Sequence, residues 1–156
     1  MGARPYFAFG LNMDRHDMAG RCPRSRWRGA VVLSGYRFRI NPLGVATVVP
    51  DRNARVYGVL WDLDRDDERS LDWFEGVSIR QYRKSLVQVR DLEAGRRCSA
   101  LVYLTCDSRP GVAGRGYMER VLAAAEAAGL PERYRRHLSR WRRGFAGVRK
   151  KEGARA

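Results

Sequence analysis

Histidine is nearly missing from this chain: there are two, His16 and His137, in 156 residues. They lie far apart, without the spacing of a metal site or a catalytic triad, so both read as surface residues. The three cysteines, Cys22, Cys98 and Cys106, are odd in number and not closely spaced. That excludes a disulfide framework or a zinc knuckle and points to reduced thiols in a cytoplasmic protein. No apolar run approaches the roughly 20 residues that a membrane helix needs, and the opening "MGARPYFAFG" does not read as a secretory leader. Neither GxSxG, a phosphate-binding glycine loop, HExxH nor a dinucleotide glycine fingerprint occurs. An enzyme built on this sequence must work with carboxylates, tyrosines and backbone amides.

What is abundant is positive charge, with a net value of +14. It is unevenly spread. The segment "RYRRHLSRWRRGFAGVRKKEGARA" at residues 133–156 carries ten Arg or Lys against the single acid Glu152, while residues 1–132 hold 21 basic and 16 acidic side chains. The segment reads as a solvated basic helix followed by a tail, and the chain divides into a domain over 1–143 and a basic tail over 144–156. Charge alone gives the tail a weak affinity for polyanions. No RNA-binding motif, zinc finger or helix-turn-helix accompanies it, so nucleic acid is not the expected partner.

The size suits one domain with a real core, and neither repeats nor low-complexity linkers interrupt it. "YFAF" reads as a short buried strand, and residues 13–20 as a short helix with Asn12 as its N-cap and Asp14 in the first turn. "GAVVLSGYRFRIN", "GVATVVP" and "ARVYGVLWDL" are strand-like, the last two separated by turn residues Asp51, Arg52 and Asn53. "DRDDERSLDWFEG" opens with acids and closes on Gly76, as a helix does. "QYRKSLVQVR" and "CSALVYLTC" form a hairpin across Glu93–Gly95. "YMERVLAAAEAAG" is a helix stopped by Gly129, and Pro131 suits the first turn of a last helix. Strands and helices in this irregular order predict an α+β domain.

Two positions carry chemical interest. In "LDWFEGV", Leu71 and Phe74 fall on one helical face, and Glu75 is the last side chain before the terminating glycine. A carboxylate there opposes the helix dipole, and burial among aromatics raises its pKa towards that of a general base. The alternative is a solvent-facing glutamate in a mildly unfavourable place. In "YFAFGLNM", a strand ends at Gly10 just before helical sequence. This exposes amides that no ladder uses, and such amides bind carboxylates or oxyanions. The alternative is a plain strand-to-helix turn.

"YFAFGLNM" resembles the opening "YFAYGSNL/M" of the γ-glutamylcyclotransferase family, which includes the AIG2-like proteins. "RCP", "GYRFRIN", "GVATVVPD", "VYGVLWDL", "LDWFEGVSIRQY", "ALVYL" and "GYMERVLAAAEAAGLPERY" resemble that family in the same order, over residues 6–141. The resemblance implies a mixed sheet curled towards a barrel around one cavity, with peripheral helices. It implies that Glu75 is the catalytic glutamate and that Tyr6, Phe7, Ala8, Phe9, Gly10, Leu11 and Asn12 form the loop that holds a glutamyl head group. Tyr82 and Tyr117 match the places of active-site tyrosines.

The implied reaction is cyclisation of a γ-glutamyl amide to 5-oxoproline with release of a free amine. The nucleophile is the substrate's own α-amino group, so no serine, cysteine, metal or organic cofactor is required. Phe9 and Leu11 stand where the family pattern has Tyr and Ser. The two hydroxyls are lost, the backbone donors survive, and Leu11 can set an apolar wall beside the leaving group. A second reading is therefore an inactive or altered member of the same fold that binds a small carboxylate ligand or a partner. A third is a polyanion-binding protein led by its tail. Trp73 and Trp141 suit either a core or an interface, and the chain reads as a monomer or a homodimer.

Overall fold

The computed structural model describes residues 2–143. The basic tail expected over 144–156 lies outside the described residues. Five strands close into a barrel in the order β1-β3-β2-β4-β5. They are β1 (Arg4–Ala8), β2 (Arg26–Ile40), β3 (Ala46–Leu63), β4 (Tyr82–Asp91) and β5 (Arg97–Thr105). Neighbouring strands run antiparallel except at the seam, where β1 meets β5 in parallel with Tyr6 opposite Leu101. Four α-helices surround the barrel among the described residues: α1 (Arg15–Arg21), α2 (Arg65–Phe74), α3 (Tyr117–Ala127) and α4 (Glu132–Ser139). This is the α+β architecture with a curved, barrel-like mixed sheet and peripheral helices. None of the described helices is long and apolar enough to cross a membrane.

The long β2–β3 hairpin makes up much of the wall. Its register shifts twice, between Trp27 and Gly29 and between Ser34 and Tyr36. At the second shift the pairing jumps from Ser34↔Arg55 to Tyr36↔Pro50, and Asp51 to Ala54 bulge out. The turn expected at Asp51–Asn53 is therefore a local irregularity inside one continuous strand, not a break between two. The Asp51 carboxylate accepts from the Asn53 amide at 2.9 Å, the side-chain turn that Asp favours. Such bulges sharpen twist, which a five-stranded barrel needs in order to close.

The core is continuous, from Phe7 and Met18 through Leu33, Ile40 and Leu101 to Met118, Val121 and Leu138. Trp141 joins it, fully packed beside Phe38, whereas Trp73 is 83% exposed. Cys22 is buried, with its thiol facing the Asp67 carbonyl; Cys98 is half-buried and Cys106 exposed, all three free. His16 and His137 lie on the surface.

One expected cap is corrected. Helix α1 starts at Arg15, and its N-cap is Asp14, whose carboxylate accepts from the Asp17 amide at 2.9 Å. Asn12 lies instead in a 3-10 turn over Leu11–Met13, with its side chain buried. Pro131 is the N-cap of α4 and sits just outside its first turn. Helix α2 ends as expected. The Gly76 amide bonds the Trp73 carbonyl and the Val77 amide bonds the Asp72 carbonyl, with Gly76 at φ +68. This double closure needs a left-handed residue at that one position, which glycine adopts without penalty.

Candidate active site

A cavity of about 390 Å³ opens at one end of the barrel. Its wall is built from the end of β1 and the following turn, the end of α2, the β2–β3 loop, the start of β4 and the first residue of α3. Tyr6, Phe9, Gly10, Leu11, Asn12, Glu75, Tyr82 and Tyr117 all line it. Phe7 and Ala8 do not. Strand alternation turns Phe7 away from Tyr6, into the apolar core, and Ala8 is buried without reaching the cavity.

Glu75 follows the last residue of α2 and is held there by the amide closure of the helix end, its own N–H bonding the Leu71 carbonyl at 2.8 Å. Its carboxylate is half-buried. Burial raises its pKa from the ordinary carboxylate range to about 7, opposed by the positive charge of Arg21 and by a hydrogen bond from Asn12. The Asn12 amide nitrogen donates to Glu75 Oε1 at 3.3 Å and to the Tyr6 hydroxyl at 2.9 Å. Arg21 donates to Asn12 Oδ1, and the Trp61 indole donates to the Asn12 carbonyl at 2.9 Å. Every polar atom of the Asn12 side chain is thereby used, which fixes which way the amide points. Glu75 Oε2 takes no hydrogen bond among the described residues.

Two tyrosines face Glu75 across the cavity, both anchored on the backbone of Ala46. The Ala46 amide donates to the Tyr117 hydroxyl at 3.0 Å, and the Tyr82 hydroxyl donates to the Ala46 carbonyl at 3.5 Å. Because Tyr117 accepts, its own proton remains free to donate into the cavity. Burial, aided by the charge of Glu75, pushes the Tyr117 phenol up to about 12 and raises those of Tyr6 and Tyr82. All three stay protonated donors at neutral pH.

Gly10 is fixed by close approach. A Cβ there would lie 3.0 Å from the Tyr117 hydroxyl and 3.3 Å from the Ala46 Cβ, so any larger residue requires the tyrosine to give by a few tenths of an ångström. The φ of −121 is ordinary, and the demand is for space. The 3-10 turn that follows begins with amides that have no helical acceptor, at a place where the chain lines the cavity.

The AIG2-like family profile matches residues 55–138, more than half of the chain. The chain belongs to the AIG2-like family. It is similar to the γ-glutamylcyclotransferase of Homo sapiens, at 24% identity over 143 residues, covering 85% of this chain and 76% of that protein. The Bos taurus γ-glutamylcyclotransferase is 25% identical over 144 residues, with 86% and 76% covered. Among solved structures, a γ-glutamyl cyclotransferase superposes with a TM-score of 0.82 at 24% identity, over 88% of this chain and 86% of that one. A yeast γ-glutamyl cyclotransferase specific to glutathione superposes at 0.63 and 11% identity, over 92% and 96%.

In this AIG2-like chain some of the cavity escapes a reading of the sequence. Phe74, which helical periodicity puts on one face with Leu71, is 47% exposed and lines the mouth, whereas Leu71 is fully buried. The helix ends at Phe74, so its side chain overhangs the barrel rim. Arg21 stacks its guanidinium 4.1 Å from the Phe74 ring centroid. Tyr103 completes the floor. It packs edge-on to Tyr6, with centroids 5.7 Å apart, and donates its hydroxyl to Asp72 at 2.6 Å. The strand pattern of "ALVYL" shows Tyr103 as buried but not as cavity-lining. The conspicuous pair Arg21 and Asn12 has no local sequence signal at all.

Proposed function

We propose that this chain is a γ-glutamylcyclotransferase, converting a γ-glutamyl amide into 5-oxoproline and a free amine. The observation that carries the reading is Glu75: one half-buried carboxylate with a pKa of about 7, held by Asn12 and facing tyrosine hydroxyls in a cavity that begins at Gly10. The similarity to proteins named γ-glutamylcyclotransferase supports the same chemistry.

The substrate's α-nitrogen attacks its own γ-carbonyl carbon, a C–N bond forms within a five-membered ring, and the C–N bond to the amine breaks. Glu75 takes a proton from the α-ammonium and delivers one to the departing nitrogen. At a pKa near 7 both halves of that cycle are accessible at neutral pH, and such an acid/base contributes about 10²- to 10⁴-fold. Holding the chain of the substrate folded supplies the larger share, since well-oriented closures reach effective molarities of about 10⁵ M or more. The backbone amides at Gly10 and Leu11 take the α-carboxylate, and the Tyr117 hydroxyl, whose proton Ala46 does not use, donates to the γ-carbonyl oxygen as it gains charge.

The test is 5-oxoproline release, followed by mass spectrometry, from a panel of γ-glutamyl amino acids and γ-glutamyl amines, beside Glu75→Gln. Release by the parent and none by the variant is the expected result. Folded parent that is silent on the whole panel favours the second reading, a ligand-binding member of the fold, which the absent hydroxyls at Phe9 and Leu11 support.

A further inference from the structure

Charge is distributed oddly around the cavity. Among the described residues that line it, Glu75 is the one that ionises near neutral pH, the phenols staying protonated, and no Lys, Arg or His contributes to the wall. In a chain with 31 Lys and Arg this is a pointed omission. The guanidinium of Arg21, close behind the wall, is committed: it donates to Asn12 Oδ1 and sits 4.1 Å from the centroid of the Phe74 ring.

Beyond the polar end, the wall turns apolar. Leu11, Val45, Leu43 and Phe74 line it, and Leu43 and Phe74 remain 59% and 47% exposed at its mouth. Solvent-exposed apolar side chains gathered at the rim of a cavity mark a surface meant to be covered. The mouth is also well held. Gly111 packs against the Asn41 backbone too closely to admit a Cβ, its amide bonds the Ile40 carbonyl at 2.7 Å, and the Gly114 amide bonds the Gly44 carbonyl at 3.0 Å. The β2–β3 loop that carries Leu43 is thus tied to the segment before α3.

We infer that the amine released from the substrate is an apolar alkyl- or arylalkylamine without a carboxylate, and not an amino acid. This rests on the cyclotransferase reading above. An amino-acid leaving group brings a second carboxylate, with no cation in the wall to receive it and with the Glu75 carboxylate beside the scissile bond. A carboxylate left unpaired against an apolar wall and near a like charge discriminates against such a substrate. An apolar amine meets Leu11, Leu43 and Phe74 instead and buries their exposed surface.

The experiment compares matched amides that differ by one carboxylate: γ-glutamyl-phenethylamine against γ-glutamyl-phenylalanine, and γ-glutamyl-3-methylbutylamine against γ-glutamyl-leucine. The full chain is used, and kcat/KM is read from 5-oxoproline release. In each pair the decarboxylated amide is preferred by about tenfold or more. Leu43→Arg, a change at an exposed loop position, places a cation at the mouth and shifts the ratio towards the amino-acid amides by a similar factor. Equal or better turnover of the amino-acid amides by the parent overturns the inference while leaving the cyclotransferase reading intact, as does a ratio that Leu43→Arg does not move. No release from any of the four amides by folded protein removes the cyclotransferase reading and this inference with it.

Discussion

The side-chain amide of Asn12 donates to the carboxylate of Glu75 across 3.3 Å, joining two residues 63 positions apart in the chain. One end of the bond comes from the turn after the first strand, the other from the end of the second helix. With Arg21 behind it, Asn12 transmits a positive field to a carboxylate that burial otherwise pushes towards neutrality.

That arrangement sets a pH profile. Under the proposed mechanism Glu75 must be deprotonated to accept the α-ammonium proton, so kcat/KM is expected to rise with pH and level off above about 7. Arg21 and Asn12 both lower the pKa of Glu75, so Arg21→Met moves the rising limb to higher pH. A limb that stays in place, or moves down, breaks the assignment of Glu75 as the base.

The same shift has a consequence for stability. A carboxyl whose folded pKa is raised binds its proton more tightly when folded, so its contribution is fully present below about pH 4.5 and is lost as pH rises through about 7. Glu75→Gln does not titrate. Urea unfolding should therefore show the variant gaining on the parent between pH 4.5 and 8.5, by up to about 3 kcal/mol for the full shift. A difference that is flat across that window contradicts the burial of the carboxylate.

Gly10 and Tyr117 are predicted to be coupled. Gly10→Ala puts a methyl 3.0 Å from the Tyr117 hydroxyl and displaces the ring from the Ala46 amide. In Tyr117→Phe the alanine has more room. A double-mutant cycle on unfolding free energy should give a favourable interaction of about 1 kcal/mol, and additivity would show that the two do not touch.

Helix α2 is docked by ionic contacts as well as by Leu71. Lys84 of β4 bonds both Glu68 and Asp72, and Asp72 also receives the Tyr103 hydroxyl. Lys84→Met leaves two carboxylates facing one another on the helix. It is expected to cost about 1 to 3 kcal/mol in thermal or urea unfolding, and less at high salt than at low salt. The salt dependence separates charge repulsion from lost packing.

What the sequence disclosed, and what it hid, follows from the range of each interaction. Gly76 was readable because a left-handed helix end is a local demand, met within a few residues of Leu71. The hairpin across Glu93–Gly95 was readable for the same reason. Asn12 reads as a cap because its type favours caps, and nothing nearby tells of a carboxylate that arrives from another helix. The true cap, Asp14, has its partner Asp17 three residues on, a signal that was present and outweighed by the more prominent asparagine. Phe74 was put with Leu71 by helical periodicity, which holds only while the helix continues. The bulge at Asp51 showed as turn chemistry, but only pairing with the far strand reveals that β3 runs through it.

The parallel seam between Tyr6 of β1 and Leu101 of β5 also dictates an order of assembly. The wall of the cavity draws on β1, on the end of α2 and on the start of α3, and β1 is clasped between β3 and β5. Pairing so distant in the chain is slow to find and comes late. A nascent chain that has not yet made its fifth strand cannot seal the barrel, and so has no desolvated pocket in which Glu75 could acquire its altered acidity. The cavity and its buried carboxylate are complete only when all five strands are paired.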